Sequence, residues 1–206
     1  MSYELAQRIF GTPHAMALAV ICALTLFLLA AAWCDMRRQR IPNALVFSGA
    51  LLALLLHTLL PAGDGFLAGL PGGLGFWSAL AGLACGLLAL LPLYLLRAMG
   101  AGDVKLLAMT GAFLGPVQIW GALFATVLAG GALALLVALR QGVLRSVLGN
   151  VRLMLWMFTL KASGMGAALP EVAATVGTAA RLPYGVAIAA GSIAYLVFHV
   201  RLSGLL

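Results

Sequence analysis

Charge is what this sequence has least of. Only 8% of its 206 residues are Asp, Glu, Lys or Arg, and only five of those are acidic, whereas a soluble domain carries roughly 25% charged residues. So little charge excludes a soluble globular enzyme, a disordered tail and a fibrous protein. The hydrophobic share of 64% and the mean hydropathy of +1.13 point to an integral membrane protein instead. Other absences narrow the chemistry. The three cysteines (Cys22, Cys34, Cys85) form no CxxC pair and lie in or at the edges of apolar stretches, so they are expected to be buried small hydrophobes. His14, His57 and His199 are far apart and form no HExxH pattern, and neither a bound metal nor another cofactor is expected. No GxSG string accompanies a suitable histidine, which removes support for a rhomboid-type serine protease. The net charge of +7 does not point to nucleic acid, because the basic residues interrupt apolar runs and build no basic face with interleaved aromatics. In a membrane protein they mark topology.

A bilayer core of ~30 Å takes about 20 apolar residues as a helix. Residues 15–34 form a first uncharged span. Arg37, Arg38 and Arg40 directly behind it, and no clear basic segment before it, favour a retained helix over a cleaved signal peptide. Residues 44–60 follow Ile41-Pro42-Asn43, where proline suits a first-turn position. A Gly- and Pro-rich loop leads to a third span, residues 76–96. The uncharged run from Leu106 to Leu139 is too long for one crossing, and Gly115-Pro116 interrupts it. It divides into spans at 104–119 and 121–139. Residues 143–160, with Arg145 and Arg152 on one face, read either as an interfacial amphipathic helix or as a loop. Residues 182–200 form the last span.

The expectation is an all-α integral membrane protein with about six transmembrane helices, folded as a single membrane-embedded domain over residues 1–206. With the N-terminus outside, ten of the twelve basic residues fall inside, leaving Arg8 and Arg201 outside. A single crossing by the long run would move Arg140, Arg145, Arg152, Lys161 and Arg181 outside, so the positive-inside rule favours six.

With five acids, each can be weighed. Glu4 and Asp64 read as solvated, and Glu171 after Pro170 as a helix-start residue. Asp35 and Asp103 remain, at the inside ends of the first and fourth spans and at one membrane depth. Two carboxyls brought close cannot both ionise easily and share a proton. One can act as base on a water while the other, protonated, polarises a peptide carbonyl. Juxtamembrane acids can equally just balance nearby arginines. Asp103 closes the string Gly100-Ala101-Gly102-Asp103, whose glycines let backbone approach the acid and leave room for an extended substrate strand.

Three segments carry a resemblance: Asp35-Met-Arg-Arg-Gln-Arg-Ile-Pro-Asn43, Gly100-Ala-Gly-Asp-Val-Lys-Leu106 and Arg181-Leu-Pro-Tyr-Gly-Val-Ala-Ile-Ala-Ala-Gly191. In this order they resemble the signatures of the type IV prepilin peptidases, the GxGD aspartic proteases of the bacterial inner membrane. The third resembles most the short Flp-type (tight-adherence) branch. The resemblance implies cleavage of basic leader peptides from pilin precursors at the cytoplasmic face, with Asp35 and Asp103 as catalytic aspartates. Pilin-like precursors and the lipid bilayer are the implied partners. Longer members carry a CxxC-bearing cytoplasmic domain and also methylate the new N-terminus. This chain has no CxxC and only residues 35–42 between its first two spans, so a peptidase without methyltransferase activity is expected.

Lys105 either positions the dyad or substrate, or snorkels at a helix end. Pro42 and Asn43 belong to the first motif. Pro183 and Tyr184 shape the entry of the last helix near the dyad, or Tyr184 is an interfacial anchor. Gly82/Gly86 and Gly111/Gly115 are GxxxG pairs that read as close helix packing within the chain. The competing readings are a proton-coupled transporter, a presenilin-like intramembrane protease and a non-enzymatic pilus-assembly subunit. A transporter is disfavoured because no acid lies at mid-span and no repeat is evident.

Overall fold

The computed structural model describes residues 13–67, 72–96, 99–142, 149 and 184–202. The chain divides into two compact units, one formed by Met1–Gly130 with Pro183–Leu206 and the other by Gly131–Leu182. The described residues are helical: α1 (Pro13–Arg38), α2 (Asn43–Leu59), α3 (Phe76–Leu95), α4 (Ala101–Arg140) and α5 (Tyr184–Leu202). Among them there is no strand, only an isolated bridge between Ala62 and Gly73. Four helices are long and apolar enough to cross a membrane: α1 from His14, α3, α4 and α5. The expected span at 44–60 corresponds to α2, an apolar helix of 17 residues, about 26 Å long. The proposed amphipathic segment at 143–160 lies outside the described residues except for Gly149.

Large apolar side chains such as Leu26, Trp77, Leu95, Val117 and Phe124 point outward. Water would penalise such a surface and lipid does not. The cysteines depart from expectation: Cys22 is exposed and Cys34 and Cys85 are half-buried. An apolar, lipid-facing surface accepts a thiol without burying it in the protein.

α1 is longer than the expected 15–34 span. It runs to Arg38, and Gln39 ends it in the left-handed region, at φ 48°. Asp35 is therefore a helical residue, and only residues 39–42 link α1 to α2. Pro42 takes the N-cap position of α2 with extended backbone.

α4 is two helices joined at a break. Gly115 adopts φ 84°, ψ 175°, and Pro116 follows. Proline supplies no N–H to the preceding turn, and the positive φ is open to glycine at no steric penalty. The chain reverses here. A methyl group on Gly111 would lie 3.3 Å from Ile119 Cγ1, although the two residues would be about 12 Å apart along a straight helix. The second arm then runs antiparallel to α5, with Gly121 against Tyr195, Thr126 against Gly191 and Gly130 against Ala187. The division of the long apolar run is thus present, but at Gly115 and not near residue 120. The first arm, residues 101–114, is about 21 Å long.

Small residues set the other crossing. A methyl on Gly82 would meet the Gly111 carbonyl and lie 2.8 Å from Gly115 Cα, and one on Gly86 would lie 3.0 Å from Ala108 Cα. The GxxxG glycines therefore bring α3 against the first arm of α4 backbone to backbone. Leu24, Leu28, Leu106, Met109, Phe113, Ile188 and Leu196 fill the core among α1, α4 and α5.

The reversal leaves carbonyls at the end of the first arm without helical donors. His57, 2% exposed near the end of α2, serves one of them. The Leu74 N–H donates to His57 Nδ1 at 3.0 Å, so Nδ1 is the acceptor and Nε2 carries the proton. Nε2 then donates to the Phe113 carbonyl at 3.0 Å. The ring also packs on Phe66, centroid to centroid 4.5 Å. One neutral imidazole thereby ties α2, the loop after it and the α4 reversal together.

Candidate active site

At the opposite end of this unit from His57, the end of α1 meets the starts of α2, the first arm of α4, and α5. Helix ends expose unpaired backbone groups, so polar side chains gather there. Asp35 and Asp103 are both buried at this end, 7% and 9% exposed. Their charges act on one another, which places the two carboxyls in one electrostatic neighbourhood. Asp35 reaches the start of α5, where the Gly185 N–H donates to Asp35 Oδ2 at 2.8 Å and the Val186 amide lies close enough to favour the charged carboxyl. Asp103 lies in the first turn of α4, where a carboxylate complements the helix dipole. The Gly100 amide lies close enough to favour its charged carboxyl, and its own N–H donates to the Gly100 carbonyl at 3.2 Å.

The supporting residues divide. Gly100 lies directly against the acid, since a methyl there would be 3.3 Å from Asp103 Oδ2. Gly102 faces the Ile41 side chain instead, at ordinary contact distance. Lys105 donates to Asn43 Oδ1 at 3.1 Å and lies 5.6 Å from the Phe47 ring, so two residues singled out separately form one link between α4 and α2. Tyr184 is a partly exposed first residue of α5, and Pro183 lies outside the described residues. Of the arginines, Arg37 stacks on Trp33 at 4.3 Å, and Arg38 and Arg40 are exposed.

Sequence reasoning missed Gly185. It lay inside the third motif, but nothing in its spacing linked it to a side chain 150 residues earlier. The signal was a glycine at the start of a helix, directly after Pro-Tyr. Among the described residues, no three of His, Cys, Asp and Glu come together as a metal cluster would require. One small cavity, lined by Val20, Leu24, Phe66, Phe113 and Leu196 among others, is apolar and lies near the His57 end.

Fold and site together define a multi-pass helical membrane protein with a buried carboxyl pair where four helix ends converge. The model of the type IV leader peptidase family matches residues 22–135. That is more than half of the chain and includes both acids, and the chain belongs to this family. The third motif, at 181–191, lies beyond the matched segment. No curated protein and no solved structure matches the chain.

Proposed function

We propose that the chain is a membrane aspartic endopeptidase that removes the leader peptide from type IV prepilins of the Flp type. What supports this reading is that Asp35 and Asp103 are both buried, on separate helices, and that the charge of Asp35 is felt at Asp103. Family membership makes peptide hydrolysis the reaction to explain, and two carboxyls sharing one proton can perform it without a metal or a covalent intermediate. The charged acid draws a proton from water as its oxygen adds to the scissile carbonyl carbon. The protonated acid gives its proton to the carbonyl oxygen. The C–N bond then breaks as the leaving nitrogen takes up the proton first removed from water, and a hydroxyl proton of the intermediate returns to the second acid.

Charge supports a cytoplasmic placement in the bacterial inner membrane. Arg37, Arg38, Arg40 and Lys105 lie at the acid end, whereas Arg201 is at the far end of α5. The reversal at Gly115 supports two crossings by α4, hence six in all with the N-terminus outside. A pilin precursor suits this site because its basic leader meets an apolar stem at the membrane edge. The short link at residues 39–42 leaves no room between α1 and α2 for a CxxC-bearing domain, which supports peptidase without methyltransferase activity.

The test is cleavage of a co-expressed Flp-type precursor by wild type, Asp35→Asn and Asp103→Asn, with membrane abundance measured. Both variants are expected to leave the precursor uncut at normal abundance. Normal cutting by either removes that acid from the mechanism, and cutting by both returns weight to a transport or assembly role.

A further inference from the structure

The two acids differ in what holds them. Asp35 accepts the Gly185 N–H at 2.8 Å, with the Val186 amide beside it, both in the first turn of α5. First-turn amides have no intrahelical acceptor and form the positive end of the helix dipole, so they favour a carboxylate in its charged form. Asp103, in the first turn of α4, also lies at the positive end of a helix dipole, but among the described residues its carboxyl has only the Gly100 amide beside it and no bond like the 2.8 Å one from Gly185. A pair sharing one proton places its charge where the donors are stronger.

Gly185 is what allows this contact. It is buried, and a methyl group there would lie 2.8 Å from Asp35 Oδ2 and 3.0 Å from Cγ. The conflict is with the Asp35 side chain, from Oδ2 back to Cβ at 3.1 Å, and with no backbone atom among the three nearest. A substitution therefore displaces the Asp35 carboxyl first, and with Cβ at 3.1 Å it also asks α1 and α5 to part by a few tenths of an ångström.

We infer that Gly185 is a positioning residue whose amide, at the start of α5, holds Asp35 as the charged base of the dyad and leaves the shared proton on Asp103. This rests on the peptidase reading above and adds the assignment of roles. Asp35 takes the proton from water, and Asp103 donates to the carbonyl oxygen. Among the described residues, the other charged groups at this end do not reverse the assignment. Arg37, Arg38 and Arg40 are exposed, Lys105 is bonded to Asn43, and α5 brings only amides and Tyr184.

Chemical labelling tests the assignment on the wild-type protein in detergent. An epoxide is opened by a carboxylate, whereas a diazo reagent must first take a proton from a carboxylic acid. Peptide mapping after each treatment at neutral pH is expected to find the epoxide ester on Asp35 and the diazo ester on Asp103. The reverse pattern, or one residue taking both reagents, overturns the inference. This readout does not depend on cleavage, so it separates a wrong assignment from a wrong peptidase reading. A second measurement uses Gly185→Ala. Its cleavage rate is expected to fall at least tenfold near neutral pH, with the acid limb of its pH profile moved to higher pH. The sign follows because donors to a charged carboxyl ease its ionisation, so losing them demands higher pH to form the base. A profile that superimposes on wild type at equal abundance refutes the role given to Gly185.

Discussion

His57 offers a test of how the α4 reversal is held. Replacing it with phenylalanine keeps an aromatic ring of similar size against Phe66 but removes both polar contacts. The Leu74 N–H and the Phe113 carbonyl, 3.0 Å from the two ring nitrogens, are then left unpaired in a site where the side chain is 2% exposed. Each buried polar group stranded this way costs about 1–3 kcal/mol, so His57→Phe should destabilise the protein by roughly 2–6 kcal/mol. His57→Gln presents one donor and one acceptor and should recover part of the loss, whereas His57→Ala adds a cavity and the lost ring contact. Unfolding in mixed micelles, followed by circular dichroism across a denaturing-detergent titration, measures the difference. Cleavage per folded molecule should stay near wild type, because His57 lies about 21 Å along α2 from Asn43. The reasoning fails if His57→Phe comes within about 0.5 kcal/mol of wild type, the range of a neutral surface substitution.

Gly115 and Gly75 make a matched pair, with φ 84° and 85°. Alanine at either meets the strain of a backbone region essentially reserved for glycine, roughly 1–3 kcal/mol, but only at Gly115 does the new methyl run into Leu74, while at Gly75 nothing lies within 4 Å. Gly115→Ala should therefore unfold at lower denaturant than Gly75→Ala, and equal midpoints would remove the Leu74 contact from the account. Gly86→Leu should push α3 off the first arm of α4 at the Leu107 carbonyl; overpacking costs typically about 1–3 kcal/mol, read as lost monodisperse protein on size exclusion. The Lys105–Asn43 bond is exposed, and a double-alanine cycle should give a coupling below about 1 kcal/mol. A larger coupling would mean that the pair belongs to a wider network.

The sequence made the outline legible because membrane burial leaves a one-dimensional record. A helix in lipid must be apolar along its length, so α1, α3 and α5 could be read from uncharged runs. The reversal in α4 was legible as Gly115-Pro116, since proline and glycine act on the backbone locally. Its exact position was not, because hydropathy is equally high on both sides and only three-dimensional packing fixes where the arms part. Asp35 and Asp103 stood out for a similar reason: in a chain with five acids, an acid at a helix end is conspicuous. Gly185 and His57 were not legible as partners. Each acts through backbone groups of a distant segment, N–H or C=O groups that every residue carries and that leave no mark in the sequence.

The two acids are thus held by separate devices. Asp103 opens an arm whose far end is secured by His57 at Phe113 and whose flank is pressed on α3 through Gly82 and Gly86. That arm, at about 21 Å, is shorter than a ~30 Å bilayer core. Its non-helical tip must therefore be sheltered by protein, since lipid cannot satisfy exposed backbone groups. Leu74 and the ring of His57 provide that shelter. Asp35 depends on none of this, because α5 holds it through Gly185 and Val186. Geometry between the carboxyls consequently depends on how α1 and α5 stand against α4, and the second arm of α4 packs along α5 at Gly121, Thr126 and Gly130. The reversal at Gly115 is then more than a way to fit a long apolar run into a membrane: it makes the helix that carries one acid continuous with the helix that braces the support of the other.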